Sequence, residues 1–390
     1  MKAILTRLLF ATIILSLYFL LAADFGQSQV ISMEEFLREN LASKEVTRVY
    51  HHEFTEDIKR YKGGDDFFAV QTESDIKIFN SEGELQSAFT PKSRMMVMDF
   101  LENKNMFFAR TQNEAGKNVS GIFELDGSPV KIYSSNRILP SPGGKFFYDE
   151  CSMVGTGPTG VFETHGGMSF VIPTWFECQA SAPSDSQFLL LHHKSLSLWD
   201  VTTGQELWNS TIPDEKYNTS SAYDMAYSEK NNIIAFHNGK GCYCFDFQGN
   251  YLWDLNYYGS RTLIHKIGVS KDDGKVLIYS SGEESNHITL CNRDGSMFLD
   301  TTLKPGPGVR FMGGFSTLAD VFDDFIVLKY TARFDDKKTG VTAILYPNGD
   351  DWASALVDGL WDFYKSTNGE YTISGYTEDT DEVMAYSISW

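Results

Sequence analysis

Leu196–Trp208 reads LSLWDVTTGQELW: an alternating strand to Asp200, a polar turn through Thr203 and Gly204, and a second strand ending at Trp208. Alternation of apolar and polar side chains is the two-residue period of a half-buried strand. The glycine suits a tight reversal that needs a positive φ. The unit recurs as DIKIFNSEGELQSAF, GIFELDGSPVKIY, VFETHGGMSFVI, CYCFDFQGNYLWD, ITLCNRDGSMFLD and TAILYPNGDDWAS. Its turn glycines are Gly83, Gly127, Gly167, Gly204, Gly249, Gly295 and Gly349, spaced 44, 40, 37, 45, 46 and 54 residues apart. The mean period is about 44 residues.

Upstream of each hairpin lies a polar turn followed by a bulky apolar strand, as in LENKNMFFAR, YSEKNNIIAFH and VSKDDGKVLIYSS. The run from Asp65 to Val70 fills this place in the first unit. Each period therefore supplies four strands, one before the polar turn, one after it, and two from the hairpin. Four-stranded units at this spacing predict the blades of an all-β propeller. The last unit stops after its third strand (VMAYSISW), whereas Val46–Phe54 (VTRVYHHEF) is a strand with no inner strands before it. The expectation is an eight-bladed ring, closed by the N-terminal strand lying beside Val383–Trp390. Seven blades is the alternative, if the weak hairpin at Gly167 is not one.

The hairpin at Leu196–Trp208 resembles the quinoprotein-like (PQQ-like) propeller repeat, through Asp200, Thr203, Gly204 and Trp208, and the end of a WD40-like repeat, through Trp199-Asp200. The hairpin FDFQGNYLWD keeps Asp246, Gly249 and Trp253. The resemblance covers residues 46–390 as architecture. It implies a cofactor only where two adjacent cysteines and a calcium-binding carboxylate cluster are present, and no two of the five cysteines here are adjacent. No cofactor is expected.

The chain has 390 residues, 33 basic and 52 acidic side chains, and a formal net charge of −19. Such a balance argues against nucleic acid and against anionic membrane surfaces, both of which are bound through Lys and Arg. Lys2 and Arg7 precede Leu8–Ala23, 16 residues without charge, which is short for a span and suits a signal-peptide core. Residues 1–28 are therefore read as a signal peptide cleaved after Ala23 or Ser28, with an uncleaved anchor as the alternative. Residues 29–45 are read as a short helix or linker, since Ser32 and Glu35 form a capping box ahead of Met33, Phe36, Leu37 and Leu41. The mature chain is expected to be secreted or periplasmic, monomeric and without stable membrane insertion.

Cys151, Cys178, Cys242, Cys244 and Cys291 have no metal-type spacing and read as small core residues. His192, His193 and His237 end equivalent strands, but no carboxylate constellation accompanies them, so no metal site is expected. In the doublet His51-His52 on the closing strand, one ring must face solvent. Hydrolase and phosphate-loop motifs are lacking. The cationic constellation is more informative. Arg94, Arg137, Arg261 and Arg310 fall in the connections that precede innermost strands, together with Tyr258, His265 and Trp361. Those connections open on one face, so these seven residues are the candidate ligand-binding set at the channel mouth. Arginine forks in an acidic protein predict an anionic protein, peptide or glycan ligand. The leading expectation is a non-catalytic binding or scaffold module without catalytic residues. The alternative is a propeller enzyme, either a quinone- or metal-dependent oxidoreductase or a hydrolase.

Overall fold

The strands of one repeat differ in how they are buried, and this difference dictates their stacking. Ile233–His237 and Gly241–Phe245 are buried at every position, Asp224–Ser228 is half-buried, and Tyr251–Asn256 exposes Tyr251, Asp254 and Asn256. A strand covered on both faces needs a neighbouring sheet on each side, whereas the outermost strand needs one face only. The four strands pair antiparallel in chain order.

The computed structural model describes residues 30–389, apart from 43, 65, 102–103, 134–137, 150–158, 164–167, 173–177, 193, 214–223, 258–261, 282–285, 304–309, 312–317, 335–336, 349–350, 366–368 and 378–379. Seven four-stranded antiparallel blades are formed. Six of them run in sequence over residues 60–89, 96–133, 138–172, 178–211, 224–256 and 263–303. The seventh joins residues 360–389 to the strand Glu45–Glu53. Between 263–303 and 360–389 the chain forms a larger, six-stranded sheet, five strands from residues 310–358 and a short parallel strand from Val30–Ile31. Seven regular blades is thus the alternative count from the repeat analysis. The hairpin around Gly167 does form a blade, through Thr159–Glu163 and Met168–Ile172, and the irregular unit lies instead at residues 310–358.

The expected closure is present. Val46 pairs with Ile388 and His52 with Val383, with a bulge at Val49. On its far side this blade meets the first, where Tyr61 Oη donates to Ser374 Oγ at 2.7 Å and Ile58 N donates to Asp381 Oδ1 at 2.9 Å. The helix Met33–Asn40 begins at Ser32, whose hydroxyl accepts from Glu35 N at 3.1 Å. Met33, Phe36, Leu37 and Leu41 are wedged among Phe325, Tyr346, Trp361 and Tyr386. The helix therefore fills the core between the six-stranded sheet and the closing blade.

One contact repeats around the ring and explains the hairpin motif. Gly83 has φ +83°, and a β-carbon there would come within 2.6 Å of Tyr50, on the outermost strand of the preceding blade. Gly127 sits likewise on Phe89, Gly249 on Trp208 and Gly295 on Trp253. The indoles also bond across the gap, Trp208 Nε1 to Phe247 O at 2.8 Å and Trp253 Nε1 to Arg293 O at 2.9 Å. The hairpin aspartate works within its own turn. Asp246 accepts from Gln248 N and Asn250 N, and Asp200 accepts from Thr203 N and its hydroxyl. Cys242, Cys244 and Cys291 are buried free thiols, as expected of small core residues, and burial pushes Cys291 up to about 12. Cys151 and the Cys178 side chain lie outside the described residues.

Candidate functional site

The inner strands start on one face of the ring, and the turns joining second to third strands lie on the same face. A cleft of about 640 Å³ opens there between the first two blades. Its first wall comes from Lys59, Arg60 and Gln71, where Arg60 and Gln71 are cross-strand partners. The second comes from Arg94, Met95 and Met96, backed by Arg110, Gln112 and Asn118 on the neighbouring strands. Four bases thus line it against one acid, Glu73.

Arg94 is exposed, but its backbone is pinned on both sides. Ser93 Oγ donates to Gln112 O at 2.7 Å and lies 3.0 Å from Thr111 Oγ1, while Gln71 Nε2 donates to Met95 O at 2.9 Å. Lys59 is committed to carboxylates, at 3.0 Å from Asp57 and 3.3 Å from Glu73, and those two bonds, Asp57 foremost, raise its pKa. Arg60 and Arg94 differ. Among the described residues neither has a carboxylate within ion-pair distance. In a chain of net charge −19 that leaves two unneutralised guanidinium groups beside one cleft. Gln71 Oε1 is buried in the same wall with no hydrogen-bond partner among the described residues. The wall therefore offers charged donors from the arginines together with one unmet acceptor.

Of the sequence-derived candidates whose side chains are described, only Arg94 lines this cleft. Arg137, Tyr258 and Arg261 lie outside the described residues. Arg310 begins a short strand paired with Arg333, and its side chain is likewise outside the description. His265 is the extra residue of a bulge on the inner strand Leu263–Val269, half-buried, and burial lowers its pKa. Trp361 must be corrected. It is not a loop residue but the second position of the strand Leu360–Lys365, wholly buried, with Nε1 donating to Asp358 O at 2.6 Å. The preceding hairpin ends at Asp358 and a single glycine separates the two strands, so no connection is long enough to carry a ligand-facing side chain there.

The bases missed from the sequence were Lys59, Arg60 and Arg110. The first two directly precede or start the first inner strand, the position that singled out Arg94, so the same rule extended to the first repeat would have found them. Arg110 sits within a second strand otherwise rich in Phe and Ala, and only its pairing with Met96 brings it to the cleft. His237, a candidate by its strand-end position, is completely buried, with its Nδ1 accepting from Gly239 N at 3.0 Å.

No protein-family model matches the chain, and no curated protein matches its sequence. Solved structures do match its shape. Kluyveromyces lactis Hsv2 with its complete loop 6CD is 11% identical, with a TM-score of 0.53 over 77% of this chain and 98% of that one. A second structure of Kluyveromyces lactis Hsv2 is 12% identical, with a TM-score of 0.50 over 80% and 98%. Hsv2 from Kluyveromyces marxianus is 11% identical, with a TM-score of 0.52 over 77% and 97%. At such identities the likeness is one of fold, and that fold is the β-propeller.

Proposed function

We propose that the protein is an exported, monomeric, non-catalytic propeller, a binding or scaffold module that takes an acidic segment of a protein, peptide or glycan in the cleft between its first two blades. The observation that carries this reading is the pair Arg60 and Arg94, both without a carboxylate partner among the described residues of a strongly acidic chain. Arginine forks grip carboxylate, sulfate or phosphate in two-point contacts, and a local positive patch in a negative surface concentrates the field that guides an anion in. Gln71 Oε1 adds a preference for a ligand that also brings an N–H or O–H donor. Export is supported by the charge-free stretch Leu8–Ala23. Among the described residues no helix is long and apolar enough to cross a membrane. The PQQ-like resemblance is read here as shared construction, because Asp200 and Asp246 spend their carboxylates within their own turns.

The test is binding of a fluorescent oligoglutamate peptide and of a sulfated oligosaccharide, followed by anisotropy over a range of salt. The double substitution R60A/R94A is expected to weaken binding about tenfold or more and to flatten its salt dependence, with stability within about 0.5 kcal/mol of the parent. Equal binding by parent and variant for both probes overturns the proposal.

A further inference from the structure

The doublet His51-His52 divides its two rings between core and surface. His52 turns inward, its Nε2 2.8 Å from Gly83 O and its ring tilted against Phe79 with centroids 4.8 Å apart. His51 is therefore forced outward, to the face shared with Glu53 two residues on and with Glu382 on the partner strand. Its Nε2 lies 3.6 Å from Glu382 Oε1, and one ligand atom from each of His51, Glu53 and Glu382 lies within 4.8 Å of the others. Among the described residues this is the only such grouping.

Two features make this more than a surface ion pair. Glu53 and Glu382 are register partners, directly opposite each other, an arrangement of like charges that weakens a strand pair unless a cation intervenes. Glu382 is also oriented from behind, since Thr380 Oγ1 donates to its Oε2 at 3.1 Å and leaves Oε1 facing His51. A hydrogen-bonded carboxylate presenting its other oxygen is the arrangement that orients metal ligands.

We infer that His51, Glu53 and Glu382 form a binding site for a divalent cation of the zinc class, held by one imidazole nitrogen and two carboxylate oxygens with a position open to water. Zinc takes such ligands at about 2.0–2.2 Å, so a small inward rotation of side chains already this close completes the site. One ligand pair comes from the N-terminal strand and the third from the C-terminal strand, so the ion clips together the two ends of the chain where the ring closes. Binding to the folded state alone raises stability with ion concentration.

The experiment uses the full tag-free chain, stripped with chelator, and reads calorimetric stoichiometry and thermal midpoint with Zn²⁺, and with Mg²⁺ as the control. The expected result is one equivalent of Zn²⁺ and a midpoint that climbs with its concentration, with Mg²⁺ inert. H51A and E53Q, which leave the inward His52 untouched, are each expected to weaken Zn²⁺ binding more than tenfold and to remove the climb. E382Q should do the same; if it fails to fold, the other two variants decide. Absence of saturable Zn²⁺ binding, or binding unchanged in H51A and E53Q, overturns the inference and leaves His51–Glu382 an ordinary ion pair.

Discussion

His52 lies on the last strand of one blade and Gly83 in the hairpin of the next, and the imidazole Nε2 stands 2.8 Å from the glycine carbonyl oxygen. Tyr50, two residues earlier on the same strand, packs under the same glycine. A closing strand therefore does two jobs, completing its own blade through the Ile388–Val383 ladder and seating the turn of the first blade.

That seat sets apart two glycines with similar backbone. Gly83 (φ +83°) meets Tyr50, whereas Gly116 (φ +73°) has open space where a β-carbon would go. G116A should cost about 1 kcal/mol, the strain of an alanine at positive φ. G83A should cost clearly more, about 2–4 kcal/mol, because the aromatic seat must also shift. Urea unfolding of the two variants side by side measures the difference, and equal losses would mean that the seat contributes nothing.

Lys329 is buried between Asp320, at 3.2 Å, and Asp362 on the neighbouring blade. Burial works to lower its pKa, but the attraction of Asp362 and then Asp320 outweighs it and holds the ammonium above its usual value. K329M should destabilise by about 3–5 kcal/mol, since two carboxylates lose their shared cation. The triple variant K329M/D320N/D362N should recover much of that loss. Chemical denaturation gives both numbers, and a K329M protein as stable as the parent would show the trio to be solvent-relaxed.

His237 supplies a pH dependence whose sign follows from its surroundings. Burial first, then the charges of Lys266 and His265, depress its pKa to about 3. In the unfolded chain it titrates near 6.5. Below that value the unfolded state binds a proton that the folded state refuses, so stability is complete above about pH 6.5 and falls as the pH drops towards 3. The slope for this one group is about 1.4 kcal/mol per pH unit, or about 2 kcal/mol between pH 6.5 and 5. H237F should flatten the dependence of the urea midpoint over that window. An unchanged slope would place the titration elsewhere.

Architecture was legible because the hairpin glycines and their aromatic partners are spaced by blade geometry, and a strand without a sheet at one end of the chain answers a blade without a strand at the other. The irregular sheet falls in the 54-residue gap between Gly295 and Gly349, the widest of the series, and not at Gly167, where the repeat reads weakest. That gap could not say that the surplus would go into the long pair Ile326–Phe334 and Lys337–Asn348. Val30–Ile31 was invisible, since two residues carry no period. The site was legible only in part. Arg94 was found from its place ahead of an inner strand, while Arg110 reaches the cleft through cross-strand pairing that periodicity alone does not specify. Trp361 misled because an aromatic two residues after a glycine reads alike in a loop or near the start of a buried strand.

The aromatic seats bear on how the ring assembles in time. Each joins residues fewer than about 45 positions apart in the chain: Tyr50 to Gly83, Phe89 to Gly127, Trp208 to Gly249 and Trp253 to Gly295. These contacts close short loops, so successive blades can dock as the polypeptide emerges from the ribosome. The pairing of Glu45–Glu53 with Glu382–Ser389, by contrast, joins chain segments more than 300 residues apart. It must await synthesis of residues 382–389, and its entropy of closure makes it the slow, late step. Until then Tyr50 and His52 hold the first hairpin from a strand that has no ladder of its own, and the nascent protein carries an unpaired edge that a chaperone would need to cover.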